Sequence, residues 1–266
     1  MTLRQFKKPD CIHPKNFIKN KIKYPCMAAI KMDGVRGRYI DGKLLTRTGH
    51  ELVGLDHILE ELNRFNITTE FDGELFVPGK KFDEISGLVR KESSTPEIKY
   101  YIFDIPSKMI PQTDRYLYLF ENEKYFKDPL ILAKYIQINN YDHLRRFYIN
   151  VVELGHEGVV VYDPNTMYED KKTYEWMKLV QEKTVDCPCV GFVPGQGKHT
   201  GRLGSIKIKY KNTTVSIGSG FSDSERQIIW DYQGKYLNRI AEIKYKNITE
   251  KGSLRQPRFK RWRWDK

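Results

Sequence analysis

Short apolar runs recur along the first two thirds of the chain and predict its secondary structure. Runs rich in β-branched and aromatic residues predict strands, and they are "YPCMAAI", "TTEFDGELFV", "YYIFDI", "GVVVYD", "YEWMKLV" and "CPCVGFV". Between the runs, two sets of apolar residues repeat at the spacing of one helix face. The first set is Leu55, Ile58, Leu59 and Leu62, and the second is Leu144, Phe147, Tyr148 and Val151 before Gly155, a helix-stopping residue. This part is predicted to mix α and β.

The pattern changes after about residue 184. Glycine-rich turns now separate short alternating strands such as "GSIKIKYKN" and "TTVSIGSG". A single short helix is predicted to follow, because Ser222 and Glu225 form a capping-box pair and Gly234 supplies a stop. About five strands with one helix are typical of a small OB-fold β-barrel, a fold that often binds nucleic acid. We therefore predict an α+β protein with domains at 1–183 and 184–266.

Composition narrows the class of protein. The 266 residues are 39% hydrophobic, 13% aromatic and 30% charged, which is typical of a soluble globular protein. No apolar run approaches the roughly 18 residues of a membrane span, and "MTLRQFKKPD" lacks a signal-peptide core. We expect an intracellular protein without a membrane partner. The four cysteines show no zinc-ligand spacing, so reduced thiols are expected.

Net charge is distributed unevenly. Residues 195–266 hold 17 Lys and Arg against 6 Asp and Glu, a net +11, whereas the whole chain carries +12. Aromatic residues interleave with this charge in "QPRFKRWRWDK". A basic surface of this kind is expected where a protein contacts phosphate backbones, although a basic surface without that role remains an alternative.

Several charged residues occupy strand positions where apolar residues are expected. Lys31 ends an apolar run in "AAIKMDGVRGR". Asp72 and Glu74 share one face of "EFDGELFV", and two carboxylates there are costly unless they pair with cations or a metal. Glu157 precedes a strongly apolar strand, and Lys178 shares a strand face with Trp176. Each feature alone is also compatible with a solvated strand edge.

Together these segments form an ordered series of motifs. "KMDGVR" at 31–36, "FDGEL" at 71–75, "YIFD" at 101–104, "EGVVV" at 157–161 and "WMK" at 176–178 resemble the motifs of the covalent nucleotidyltransferases, and "SLRQPRFKRWRWDK" resembles their last motif. The chain looks like a small phage-type ATP-dependent DNA ligase from about residue 28 to 266. The resemblance implies an adenylation domain of antiparallel sheets with helices, followed by the OB-fold domain.

The resemblance also implies residue roles, with ATP and Mg²⁺ (or Mn²⁺) as cofactors. Lys31 would attack the α-phosphorus of ATP, with Asp33 and Arg36 as further catalytic residues, and burial with nearby cations or metal would lower the Lys31 pKa. Glu157 and Glu74 would hold the metal, and Arg263, Asp265 and Lys266 would orient the departing pyrophosphate. The nucleotide would contact Ala29, Ile30, Lys31, Met32, Arg36, Arg47, Glu74, Phe103, Lys172 and Lys178.

Two positions depart from the family pattern. Val180 stands where a second lysine of the fifth motif is usual, so either Lys172 or Lys183 supplies that cation or the phosphate is held by fewer cations. Ala29 stands where a polar residue often recognises the adenine amino group, which would leave base recognition to backbone groups.

The expected substrate is nicked duplex DNA, bound by a monomer in the cytoplasm of the host cell if the protein is phage-encoded. An mRNA capping guanylyltransferase shares Lys-x-Asp-Gly-x-Arg, but its fourth motif normally begins with Asp, where this chain has Glu157. An RNA ligase shares the lysine chemistry, and the basic C-terminal region argues against it. A nucleic-acid-binding protein without catalysis is the alternative from another class.

Overall fold

The structure is a computed structural model that describes residues 5–65, 68–249 and 251–265. The chain divides into two compact units, Met1–Val180 and Gln181–Lys266. The predicted domain boundary, between 183 and 184, lies three residues further along the chain than this division. None of the helices in the described ranges is long and apolar enough to cross a membrane.

The first unit contains two five-stranded sheets and four α-helices in its described residues. Its elements are β1 His13–Asn16, β2 Cys26–Lys31, β3 Val35–Ile40, β4 Lys43–Leu45, α1 Asp56–Leu62, β5 Phe71–Phe76, α2 Phe82–Val89, β6 Lys99–Asp104, α3 Gln112–Glu121, β7 Leu130–Leu132, β8 Tyr135–Ile138, α4 Tyr141–Glu153, β9 Gly158–Tyr162 and β10 Lys172–Val180. Short 3-10 turns lie at Lys19–Lys21 and Glu123–Tyr125.

The strand orders are β1-β10-β9-β2-β8 in one sheet and β4-β3-β5-β6-β7 in the other. The sheets are antiparallel as predicted, except that β1 pairs with β10 and β6 with β7 in parallel. Both predicted helices are present as α1 and α4, and Gly155, with φ +87°, follows the end of α4. The five strand predictions in this unit are confirmed.

Alternation along β2 and β9 separates two apolar cores. Ala28, Val159 and Val161 pack with α4 residues in one core, whereas Ala29 and Val160 belong to the other. The second core also contains Phe71 and Leu75 of β5, so it involves both sheets. The sheet of β2, β9 and β10 therefore has one face against a helix and one face toward the second sheet.

The second unit has its own core and a third five-stranded sheet, in the order β13-β12-β11-β14-β17. Its elements are β11 Lys183–Pro194, β12 Leu203–Tyr210, β13 Thr213–Ile217, α5 Asp223–Asp231, α6 Gln233–Tyr236, β14 Ile240–Tyr245, β15 Asn247–Ile248, β16 Leu254–Arg255 and β17 Arg258–Trp262, with a 3-10 turn at Gly197–His199. The predicted capping box of Ser222 and Glu225 is present. The predicted stop at Gly234 is wrong, because α5 ends at Asp231 and Gly234 lies inside α6.

The predicted closure of this sheet into a barrel is not found among the described residues. β13 ends at Ile217, and the outer strands β13 and β17 form no ladder with each other. The backbone N–H of Phe259 instead donates to the carbonyl of Ser219, 2.8 Å away and beyond the end of β13. Gly220 permits this approach, since it has φ +99° and a Cβ there would lie 2.1 Å from the Phe259 carbonyl oxygen.

Candidate active site

A cavity of about 890 Å³ lies in the first unit and contains most of the predicted site residues in its lining. The predicted nucleotide contacts that line it are Ala29, Ile30, Lys31, Met32, Arg36, Arg47, Glu74, Phe103, Lys172 and Lys178. Its volume is within the range of pockets that enclose a small-molecule ligand. Both sheets contribute, because β2, β9 and β10 supply one set of residues and β3, β5 and β6 supply another.

Lys31 faces the cavity because of its position in β2. Side chains two residues apart share a strand face, so Lys31 lies on the same face as Ala29, toward the second sheet. Lys31 pairs with Gly158 in the ladder between β2 and β9, which brings Glu157 beside it. The Lys31 Nζ donates a hydrogen bond to Glu157 Oε2 at 2.9 Å.

Two glycines make this arrangement possible. Gly158 has φ +149°, and a Cβ there would lie 2.2 Å from the carbonyl oxygen of Leu179 in β10. A Cβ on Gly34 would lie 2.3 Å from the carbonyl oxygen of Leu75. Only glycine allows the backbones to approach this closely, so each motif glycine follows from the packing of a neighbouring strand.

The electrostatic environment of Lys31 differs from the prediction. Burial by itself lowers the pKa of Lys31, but the carboxylates of Glu157, Glu74 and Asp33 outweigh burial and raise it above its usual value. The expectation that the pocket lowers the Lys31 pKa is therefore wrong for the protein alone. The reason is that acidic side chains approach this amine from several elements.

Glu74 is the acidic residue in the cavity lining. Its Oε1 accepts a hydrogen bond from the backbone N–H of Gly34 at 3.1 Å. Burial raises the Glu74 pKa to about 7, against the opposing effects of Lys31, Arg36 and that hydrogen bond. The carboxyl group is thus poised between its two protonation states at neutral pH.

Arg36 lines the cavity, but most of its donors are already used. Its Nε donates to Asp72 Oδ1 at 2.9 Å, its Nη2 contacts Asp72 Oδ2, and its Nη1 donates to the Ile12 carbonyl at 2.7 Å. The guanidinium lies 5.4 Å from the centre of the Phe103 ring. Arg36 is therefore the cation that the two-carboxylate argument required for Asp72, and this ion pair fixes the guanidinium beside Phe103.

A buried polar network beside the cavity was not predicted from the sequence. The Tyr168 hydroxyl donates to Asp72 Oδ2, and the Tyr168 ring lies 5.2 Å from the Arg38 guanidinium and 5.7 Å from that of Arg115. Arg115 in turn forms a two-pronged ion pair with Asp104 at 2.6 and 3.0 Å. The sequence signal was present in Arg38 and Asp104, which are charged residues within apolar strands.

Aromatic residues form the apolar part of the lining. Phe103 and Trp176 meet edge to face with ring centres 6.3 Å apart. The Trp176 Nε1 is buried and has no hydrogen-bond partner among the described residues. An unpaired buried donor is costly, so a ligand oxygen or nitrogen at this point would be favoured.

Two matches in sequence decide the family. A family model described as "ATP dependent DNA ligase domain" matches residues 10–179, and one described as "DNA ligase OB-like domain" matches residues 194–263. The first match covers well over half of the chain and includes the whole cavity lining except Lys8. The chain belongs to the ATP-dependent DNA ligase family.

Individual ligases agree with this assignment. A DNA ligase of Haemophilus influenzae is 31% identical over 239 residues, which cover 86% of this chain and 82% of that protein. The DNA ligase of Enterobacteria phage T4 is 24% identical, with 85% of this chain and 60% of that protein covered. A solved Lig E DNA ligase, titled "DNA binding with a minimal scaffold", has a TM-score of 0.82 at 20% identity over 96% of this chain and 100% of that one.

The cavity of this ligase fits the cofactor that its family name states. The lining contains seven lysine and arginine residues, which suits a triphosphate, and the paired aromatic residues suit a base. No group of three or more His, Cys, Asp or Glu in the described part of the chain could hold a metal ion by itself.

The remaining predicted residues of the ligase have different positions. Lys178 and Lys172 line the cavity from β10, whereas Lys183 lies in the second unit near Asn247. Lys172 is thus the better candidate for the cation missing at Val180. Asp33 is outside the lining, although its charge acts on Lys31.

The last motif of the ligase lies in the second unit. Arg263 donates to Asp186 Oδ2 at 2.8 Å and grips both oxygens of Asp265 at 2.9 and 2.7 Å. These carboxylates raise the pKa of Arg263. Lys266 lies outside the described residues.

Proposed function

We propose that this ligase seals nicks in duplex DNA, joining a 5′-phosphate to a 3′-hydroxyl through lysyl-AMP and DNA-adenylate intermediates. The observation that carries the proposal is the position of Lys31. Its amine enters a cationic, nucleotide-sized cavity and is held 2.9 Å from Glu157 Oε2. A lysine amine in a cavity of this size and charge is placed to form a covalent intermediate with a nucleotide.

In the first step, Lys31 attacks the α-phosphorus of ATP. The Nζ–P bond forms, the bond from phosphorus to the pyrophosphate oxygen breaks, and the proton that the neutral amine loses on attack leaves with the pyrophosphate. Because the surrounding carboxylates raise the Lys31 pKa, the amine is charged in the free protein and loses one proton to water before it attacks. AMP then passes from Lys31 to the 5′-phosphate, and the 3′-hydroxyl displaces it.

Glu157 and Glu74 are the residues that we assign to Mg²⁺ or Mn²⁺. Bound there, the cation would offset the carboxylate charge that raises the Lys31 pKa, and it would polarise the phosphate oxygens. Glu74 is well suited to this role, since its buried carboxyl, with a pKa of about 7, is destabilised in its charged form and gains from a cation.

The nucleoside is assigned to the aromatic side of the cavity. Phe103 stacks on adenine. The Arg36 guanidinium contacts the Phe103 ring, at 5.4 Å from its centre. Trp176 Nε1 offers its unpaired donor to the ligand. Ala29, Ile30 and Met32 complete the wall from β2 and the turn that follows it.

The remaining assignments concern phosphates and DNA. Arg47, Lys172 and Lys178 offset the charge that develops on the phosphates in the transition state. Arg263, Asp265 and Lys266 orient pyrophosphate in the first step only, which requires Arg263 to exchange a carboxylate partner for phosphate. The basic second unit grips the backbone of a nicked duplex, and one monomer suffices.

The same lysine chemistry also serves capping guanylyltransferases and RNA ligases, so the test must distinguish nucleotides as well as residues. The purified protein is incubated with α-labelled ATP or α-labelled GTP, denatured and assayed for bound label. We expect label from ATP only, and none on Lys31→Ala. Lys99→Ala is the matched control, because Lys99 pairs with Asp128 and is outside the cavity lining.

The second half of the test supplies a nick that already carries a 5′-adenylate. Lys31→Ala should seal this substrate, because the step that needs the amine is complete. Label from GTP, or label that persists on Lys31→Ala, would contradict the proposal. Sealing of RNA but not of DNA nicks would favour the RNA ligase alternative.

A further inference from the structure

The segment from Lys8 to His13, called here the N-terminal segment, is bound to the wall of the cavity by the loop between β9 and β10. Asp170 in this loop contacts three residues of the segment: Lys8 Nζ at 3.1 Å, the Cys11 backbone N–H at 3.3 Å and His13 Nε2 at 3.7 Å. The backbone N–H of His13 also donates to the Lys171 carbonyl at 2.8 Å. The segment thus has a fixed position although it lies outside every motif used above.

This fastening brings additional basic residues to the cavity. Lys8 and His13 both line it, and His13 pairs in register with Lys172 at the start of β10. Arg47 lines the cavity as well and is close enough to act on the charge of His13. The one acidic side chain in the described lining is Glu74, on β5. The wall formed by the segment and β10 therefore presents cations and a neutral imidazole.

We propose that Lys8 and His13, together with Arg47 and Lys172, form a phosphate-binding subsite of the cavity, an assignment that rests on the proposed ligase function. The ligand is a phosphate group, supplied either by the β- and γ-phosphates of ATP or by the 5′-phosphate of the nick. Lys8 and His13 are the new members, because no motif of the sequence assigned them a role.

The local chemistry suits a phosphate. Lys8 retains two N–H donors beyond the one directed at Asp170, and its side chain is 52% exposed, so a ligand can reach them. Burial and the guanidinium groups of Arg36 and Arg47 lower the pKa of His13, so its ring is neutral at pH 7 and offers one N–H donor. The hydrogen bond to Asp170 already restricts the side-chain conformations of Lys8, so less conformational entropy is lost when a phosphate binds.

The first experiment tests the ATP source. In a Lys31→Ala background, which stops the reaction, the affinities for ATP and AMP are measured by calorimetry with and without Lys8→Gln or His13→Gln. If the subsite holds the β- and γ-phosphates, each change weakens ATP by about tenfold and leaves AMP unaltered. The matched control is Lys7→Gln, which removes the same charge one residue away from an exposed side chain outside the lining.

The second experiment tests the DNA source. Nicked duplexes with a 5′-phosphate or a 5′-hydroxyl are compared for binding to the same variants. If the subsite holds the 5′-phosphate, Lys8→Gln and His13→Gln remove most of the preference for the phosphorylated nick, whereas Lys7→Gln keeps it. Neither measurement needs turnover, so a failure of the proposed function, seen as absent labelling by ATP, is separate from a failure of the subsite.

A third variant distinguishes a built site from general positive charge. Asp170→Asn removes a negative charge, so a purely electrostatic attraction would make phosphate binding tighter. If Asp170 instead holds Lys8 and His13 in place, Asp170→Asn weakens the same ligand that Lys8→Gln weakens. Thermal melting of each variant verifies that the fold is kept, and Lys8→Arg, which preserves charge and donors, should retain binding.

Three outcomes would overturn the proposal. If Lys8→Gln or His13→Gln lowered the affinities for ATP and AMP equally, these residues would contact the nucleoside and not the β- and γ-phosphates. Unchanged affinity for ATP together with an unchanged preference for the 5′-phosphate would mean that the segment binds no phosphate. Tighter binding by Asp170→Asn would mean that its contacts with Lys8 and His13 oppose the ligand.

Discussion

The ion pair of Asp104 and Arg115 is buried, so losing one of its two charges should lower the stability of the fold. Both side chains are almost fully buried, at 1% and 0% exposure. Removing one member of such a pair leaves the other as an uncompensated charge, which costs about 3–5 kcal/mol. We expect Arg115→Met to lower the free energy of unfolding by this amount, as measured by urea denaturation.

The double variant Asp104→Leu/Arg115→Met is the control for this prediction, because it removes both charges. It should be considerably more stable than Arg115→Met alone. If the two variants lost equal stability, the effect would come from packing rather than from the unpaired carboxylate.

Tyr168 permits a prediction about nucleotide binding. Its hydroxyl donates to the same carboxylate that holds Arg36, and Arg36 lies against Phe103. Tyr168→Phe keeps the ring between Arg38 and Arg115 but removes this hydrogen bond. We expect the KM for ATP in self-adenylation to rise by about tenfold, with a smaller change in the maximal rate.

The control for Tyr168→Phe is Tyr148→Phe. Tyr148 is also partly buried, but it packs with the α4 core on the other face of the sheet. Tyr148→Phe should leave the KM for ATP unchanged. A Tyr168→Phe protein that melted at a lower temperature but kept its KM would show that Tyr168 serves stability alone.

At the scale of elements, the close approach of β9 to β10 at Gly158 determines where Glu157 lies. Gly158→Ala would place a Cβ 2.2 Å from the Leu179 carbonyl oxygen and would also strain the backbone at φ +149°. The strands must then separate, which moves Glu157 away from Lys31. We expect a loss of about 1–3 kcal/mol in stability, measured by denaturation, and a strong loss of ATP labelling.

Gly87→Ala provides the contrast. Gly87 lies within α2, and a Cβ there would meet nothing within 4 Å. Alanine should therefore stabilise the helix by about 0.5–1 kcal/mol and leave labelling intact. A stable Gly158→Ala protein with normal labelling would disprove the link between strand packing and the site.

At the scale of the whole molecule, positive charge is concentrated in the second unit. Lys207 and Lys209 are exposed on β12 and alternate with the buried residues Ile206 and Ile208. If they bind DNA phosphates, Lys207→Gln/Lys209→Gln should reduce the slope of log K against log salt for nicked duplex by about 0.9 for each phosphate that is no longer neutralised. Lys80→Gln/Lys81→Gln, which removes the same charge from the first unit, should keep the slope; equal slopes for both pairs would contradict the prediction.

The sequence predicted elements better than it predicted their ends and closures. The strands around Lys31, Glu74, Phe103, Glu157 and Lys178 were predictable because apolar alternation is a local property of the chain. The end of α5 was not, because Gly234 signals a stop only if the helix still continues at that point, and it ends at Asp231. Barrel closure was predicted wrongly because it depends on where β13 and β17 end relative to each other, which a local pattern does not show.

By itself, the sequence determined the two-part organisation, the strand faces and the ordered motifs that identified the family. These features depend on residues that are close together in the sequence, so they can be identified without knowing how the strands pack. Only the tertiary structure decided which charges meet. It paired Arg36 with Asp72, set three carboxylates around Lys31 so that its pKa rises, and brought Lys8 and His13 to the cavity through Asp170. Charge interactions depend on distance in space, and residues 8 and 170 are brought together only by the folded chain.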